Sequence, residues 1–110
     1  MKNLIVTFLI LIATPNLALS KSLKDIELRA GNFSSDSDNS VQVIAITNHR
    51  KAAIPWIDVE CGFYRGNALV ASETSFIENL DPDETGTTNV ISTRAGNSDR
   101  AECRLVKIRQ

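Results

Sequence analysis

Histidine, tryptophan and tyrosine each occur once in this chain, cysteine twice and proline three times. One histidine and two cysteines fall short of a four-ligand zinc site unless a carboxylate joins, and their spacing fits no zinc pattern. A surplus of one charge is also lacking. The 12 Lys and Arg stand against 13 Asp and Glu, a balance that points to neither a polyanionic nor a polycationic partner. No basic stripe with interleaved aromatics appears, so nucleic-acid binding is not expected. Apolar runs are short: the longest, Leu4 to Ala13, is about ten residues, where a membrane span needs about 20. A sustained apolar stripe at helical spacing, an internal repeat and a low-complexity linker are all missing, which excludes a helical bundle and a repeat array.

What is present begins with a leader. "MKNLIVTFLILIATPNLALS" has a positive start at Lys2, the apolar run, and a breaker at Pro15. Ala18 and Ser20 put small residues at the −3 and −1 positions of a cut before Lys21, the layout of a secretory signal peptide. The rival reading, an uncleaved membrane anchor, is opposed by the shortness of the run. No cysteine sits at the cut, so a lipoprotein is not expected. Residues 21–110 then form one domain. Without Lys2 it holds eleven Lys and Arg against thirteen Asp and Glu, a net charge near −2.

Export bears on the cysteines. In an oxidising compartment two cysteines usually pair. Cys61 and Cys103 are the only two, so their connectivity is unambiguous. The loop they close spans about 42 residues, worth roughly 4 kcal/mol in the chain-entropy treatment. The other reading, two free thiols in a reducing compartment, is weaker beside a leader.

The rest reads as short strands between turns. In "LKDIELRA", Ile26, Leu28 and Ala30 alternate with Glu27 and Arg29. Gly31 to Ser40, "GNFSSDSDNS", reads as a small polar loop. Val41 to Asn48 is β-branched and apolar on both faces except at Gln42 and Thr47, which suits a central strand. From Trp56, period two is strict: Ile57, Val59, Cys61 and Phe63 share one face, and Trp56, Asp58, Glu60, Gly62 and Tyr64 the other. "RGN" at Arg65 to Asn67 makes a tight turn, and "ALVASETSFIENL" returns as the second arm of a hairpin. "DPDETG" turns the chain again, "TTNVIST" is a strand, "RAGNSD" a loop, and "AECRLVKIR" the last strand. About six short strands separated by turns predict an antiparallel sandwich.

Three features together, Asn48 closing the second strand, the strand and turn "CGFYRGNALV", and "IENLDPDET" leading into another strand, resemble the small extracytoplasmic immunoglobulin-like domains of the FxLYD type. The resemblance covers roughly Val41 to Ser92. Arg65 stands where that family often has an acidic residue, and Asp83 where it has glycine after the proline; Asp tolerates such a turn. The resemblance implies an architecture and supplies no catalytic residues. It also implies that Cys61 and Cys103 bridge adjacent antiparallel strands, with Leu105 on the Cys103 face. Val106 and Ile108 break the alternation there, a sign of a bulge or of contacts on both faces.

Chemistry has few anchors. His49 lies in a polar turn beside two cations, with no orienting partner or nucleophile evident, and reads as solvated. "DSDNS" and "DPDE" offer oxygens but lack the central glycine and late glutamate of a calcium loop. "NFS" at Asn32 matches a glycosylation acceptor, but the Lys-Asn start looks bacterial, and a turn is the expectation. Trp56 and Tyr64, opposite the cysteine face, are the candidate binding residues. The sequence therefore predicts an all-β, immunoglobulin-like antiparallel sandwich of about six to seven strands with one disulfide. It is expected in the periplasm or outside a bacterial cell, with no membrane span after cleavage and without enzymatic activity, cofactor or metal. It acts by binding an unknown protein partner. The alternative is an inhibitor or immunity-type protein directed at an exported hydrolase, with Gly31 to Ser40 as its inserting loop.

Overall fold

The computed structural model describes residues 24–109. The leader expected over residues 1–20, and its cut before Lys21, lie outside them. Six strands follow in order: β1 (Ile26–Ser35), β2 (Ser40–Asn48), β3 (Ile54–Arg65), β4 (Ala68–Leu80), β5 (Thr85–Ser92) and β6 (Arg100–Arg109). All pairings are antiparallel, in two three-stranded sheets ordered β1-β2-β5 and β4-β3-β6. In immunoglobulin lettering these orders correspond to A-B-E and C′-C-F. The chain is an all-β sandwich with one disulfide, Cys61–Cys103. No helix among the described residues is long and apolar enough to cross a membrane.

The core lies between the sheets, and β3 contributes most to it. Ile57, Val59, Cys61 and Phe63 are fully buried, as their period predicts, and face Ile44, Ile46 and Val90 of the other sheet. The β3–β4 hairpin turns through Gly66, whose φ of 61° places it in the left-handed region that glycine enters freely. Its register then shifts between Phe63 and Tyr64, which leaves Val70 as the extra residue of a bulge. That shift matters. It pairs Ile77 with Ile57 on the core side, where an unshifted hairpin would turn Ile77 outward. A second bulge, at Val106, lies where the broken alternation of the last strand indicated. It returns Ile108 to the core side, opposite Ile57.

One reading of the sequence needs correction. Gly31 to Ser40 is not a ten-residue loop. β1 continues to Ser35 through a bulge between Ala30 and Phe33, and only residues 36–39 turn. The polar side chains here hid a strand because an edge strand buries few of them; only Phe33 of this stretch reaches the core. Gln42, an exception to the apolar pattern of β2, points inward. Ser40, Gln42, Ile44, Ile46 and Asn48 all point inward, and Val41, Val43, Ala45 and Thr47 form a half-buried outer row. Gln42 is tolerated inside because its Nε2 donates to the carbonyls of Gly31 (3.0 Å), Asn32 (3.3 Å) and Val43 (2.9 Å), two of them in the bulge.

Three loops are locked together at one end of the sandwich. Asp36 Oδ1 accepts from the amides of Asp38 and Asn39, each at 2.8 Å, and closes the β1–β2 turn. These amides hold the Asp36 carboxyl below its ordinary pKa. The β5–β6 loop packs on that turn: Asn97 N–H donates to Asp36 O (2.7 Å), and the buried Ser40 hydroxyl bonds Ala95 O and Ser98 Oγ. On its other side, Arg65 donates to Gly96 O (2.6 Å) and Asp99 N–H to Tyr64 O (2.7 Å). Gly96 is required by close approach: a Cβ there would lie 2.2 Å from Ser37 O, a backbone atom held by the turn. Gly96→Ala is therefore expected to cost about 3 kcal/mol, the upper part of the usual overpacking range. Urea unfolding checks it; a loss below about 0.5 kcal/mol would mean that the loops slide apart freely.

Candidate binding face

The outer face of the β4-β3-β6 sheet carries the candidate residues. Because side chains alternate along β3, Trp56, Asp58, Glu60, Gly62 and Tyr64 all project from this face, and each is half-buried. Across its middle runs a charge ladder from β3 to β6. Glu60 accepts from Arg104 at 2.8 Å, and Asp58 from Arg109 at 3.3 Å. These pairs are exposed enough that each contributes only some tenths of a kcal/mol. Their effect is to leave the centre of the face locally neutral.

Trp56 and Tyr64 share the face but not a patch. Eight residues of strand separate them, about 27 Å at the usual rise. Trp56 stacks on Phe76 of β4 with centroids 4.1 Å apart and planes 10° from parallel. The Arg109 guanidinium of β6 lies 4.8 Å from the Trp56 centroid. Since β4 and β6 flank β3 on opposite sides, both indole faces are covered. The indole N–H donates to Asp58 Oδ1 at 2.8 Å, so its polar tip is also engaged. What this end offers outward is Phe76, 44% exposed.

The other end holds a groove of about 260 Å³ above Gly62. Tyr64 and Leu69 lean across it: a Cβ at position 62 would meet Leu69 Cδ1 at 3.0 Å and Tyr64 Cε1 at 3.3 Å. Glu60, Ser72, Glu102, Cys103 and Arg104 complete the lining. Arg100 covers the Tyr64 ring at 4.5 Å and pairs with Glu102 at 3.3 Å. Leu69, 56% exposed, is the most exposed large apolar side chain here. Reading the sequence by strand faces alone missed Leu69 and Phe76. A glycine inside a strand, Gly62, was the available sign that other groups close over that position.

The remaining candidates have local structural partners. His49 is half exposed; its Nε2 lies 2.9 Å from Glu27 Oε1, and its amide donates to Asp25 O at 2.7 Å. The hydrogen bond to His49, with Arg29 nearby, holds the Glu27 carboxyl below its ordinary pKa. No serine or cysteine is hydrogen-bonded to this imidazole among the described residues. The acidic stretches use carboxylates to cap turn amides, Asp36 as above and Glu84 Oε1 on Asp81 N–H at 2.7 Å. Among the described residues no three of His, Cys, Asp and Glu come together as a metal site would require. Cys61 and Cys103 are spent in the disulfide, with Cys61 fully buried. Comparison with family models, with curated proteins and with solved structures found no match.

Proposed function

We propose that the protein is an exported, non-enzymatic binding domain, related to the FxLYD-type domains, that contacts a protein partner through the outer face of the β4-β3-β6 sheet. It works in the periplasm or outside a bacterial cell, where its disulfide persists. One observation carries the binding reading: the face combines a charge-paired centre with apolar side chains left open at both ends, Phe76 at one and Leu69 beside the Tyr64 groove at the other. Apolar anchors set in a polar surround are what protein interfaces use. The FxLYD relation rests on the sequence resemblance, and Asp83, which stands where that family carries glycine after the proline, takes a φ of 63°. The inhibitor reading loses its proposed inserting loop, because the β1–β2 connection is a four-residue turn tied to the β5–β6 loop.

The test places a photo-crosslinking amino acid at position 69, at position 76, or at position 87 on the opposite sheet. Crosslinks to one identified envelope or secreted protein are expected from positions 69 and 76 and not from 87. Leu69→Ser with Phe76→Ser should leave stability within about 0.5 kcal/mol and weaken capture of that protein about tenfold. Equal crosslinking from position 87 would remove this face from the proposal.

A further inference from the structure

The two long sides of the sandwich are not equivalent. On one, the edges of β4 and β5 are fastened. Ser75 Oγ and Thr88 Oγ1 lie 2.8 Å apart, Ser92 Oγ donates to Glu73 at 2.8 Å, and Arg94 donates to Glu73 (3.1 Å) and to Ser72 O (3.0 Å). On the other side lie β1 and β6. Among the described residues no side-chain hydrogen bond or ion pair joins these two strands. The core is thinly covered there. Ile26, Leu28 and Phe33 of β1, and Ala101, Cys103 and Ile108 of β6, pack against the core yet stay only partly buried, Leu105 being the buried exception, whereas Ala71, Ile77, Leu80 and Val90 on the fastened side are buried and only Val70 there is partly so.

The backbone on this side is also open. Among the described residues β6 pairs only with β3. Cys61 and Cys103 stand directly opposite, with Cα atoms 4.0 Å apart. Such close spacing marks a non-hydrogen-bonded pair, in which the N–H and C=O point away from the neighbouring strand. Those of Cys103, and by alternation of Ala101, therefore face the free edge. A strand laid antiparallel beside β6 would meet these groups. Its inward side chains would cover Leu28, Phe33 and Ile108. In immunoglobulin lettering this is the position of strand G, beside F.

Charge selects the occupant. Outward from β6 project Arg100, Arg104, Lys107 and Arg109 against the single acid Glu102. Arg104 and Arg109 pair with Glu60 and Asp58 of β3 and Arg100 with Glu102 of β6, so among the described residues the row keeps a surplus of one cation, Lys107. A second copy of β6 would bring a like row of cations, and like charges opposite each other in a sheet repel. The geometry points to β6 as an acceptor edge for an extended segment of a partner protein, apolar at alternate positions and acidic between them, which completes the β4-β3-β6 sheet by strand addition. The backbone edge of β6 is a separate site from the outer face, although Arg100, Glu102 and Arg104 border both.

The test uses the oxidised, ¹⁵N-labelled protein and a ten-residue peptide alternating valine and glutamate. Three comparisons accompany it: a valine–lysine peptide, the glutamate peptide N-methylated along one edge, and an Ala101→Pro variant. That variant removes an outward N–H and leaves the β3 ladder intact. Saturable binding is expected, with exchange of the Ala101 and Cys103 amides slowed about tenfold or more, and affinity lowered about tenfold by lysine, by N-methylation or by Ala101→Pro. Unchanged exchange with about 1 mM glutamate peptide, or equal protection by the lysine peptide, overturns the proposal. A concentration-dependent dimer that protects the same two amides also overturns it, because a second copy would then hold the edge.

Discussion

Asn48→Ala is expected to remove about 4 kcal/mol of stability, close to half of what a domain of this size holds. Asn48 ends β2 fully buried, and each polar group of its side chain is used. Nδ2 donates to Ala52 O and Leu80 O, both at 3.0 Å, and Oδ1 accepts from Arg50 N–H at 2.8 Å. Its backbone extends the same junction, with Asn48 N–H donating to Glu84 O (3.0 Å) and Asp83 N–H to Asn48 O (2.6 Å). One residue thus fixes the β2–β3 turn, the end of β4 and the β4–β5 turn. Alanine leaves two carbonyls and one amide without these partners, at about 1–3 kcal/mol each where water is excluded. Asn48→Asp separates the effects, because a carboxylate still accepts from Arg50 N–H but donates to neither carbonyl. Urea unfolding at neutral pH should rank wild type above Ala and Ala level with or above Asp, whose buried carboxylate faces two carbonyl oxygens. A loss under about 1 kcal/mol for Ala would show that water replaces the side chain.

Asn48 also marks the boundary of what the sequence displays. Where burial follows a strict period, as at Ile57, Val59, Cys61 and Phe63, hydrophobic pattern alone gives the core face, because backbone geometry forces alternate residues to opposite sides. The break at Val106 was legible for the same reason. Buried polar groups obey a different rule. Ser40, Gln42 and Asn48 are inside because particular carbonyls and hydroxyls, in a bulge, a turn and a distant loop, reach them. Those partners exist only once the chain has folded, so a hydropathy reading places such residues outside.

The candidate site was legible in part, for a similar reason. The faces of Trp56 and Tyr64 follow from β3 by itself. Their neighbours follow from the register of β4, which the Val70 bulge shifts by one residue. Only after that shift do Trp56 and Phe76 come into stacking contact, whereas Leu69 already stands opposite Tyr64 on the turn side of the bulge. A two-residue turn without the bulge would set Trp56 opposite Ile77 and send Phe76 into the core. The Trp56 end of the candidate face is thus a product of one irregularity that composition does not announce.

Replacing both cysteines by alanine is expected to lower stability by about 4 kcal/mol through loop entropy alone. The link spans a sequence separation of 42 residues and ties β6 to β3 inside one sheet. The entropy effect acts on the unfolded chain, which gains freedom when the link is gone, so every global-unfolding amide should lose protection together. A second effect is local. Among the described residues β6 has a neighbour on one side only, and of its inward residues only Leu105 is buried, with Ala101, Cys103 and Ile108 partly so. Without the covalent tie, this edge strand is held to β3 by its ladder hydrogen bonds and that packing alone, so it should fray below the global free energy. Native-state hydrogen exchange distinguishes the two. In the double variant, amides of β6 that bond to β3, such as those of Glu102 and Arg104, should exchange ahead of the β2 core, whereas in the oxidised protein the two sets stay closer together. If the variant unfolds within about 0.5 kcal/mol of wild type, the disulfide is not a principal constraint on this fold. If β6 and β2 lose protection equally, its action lies wholly in the unfolded chain and the edge strand is held by packing.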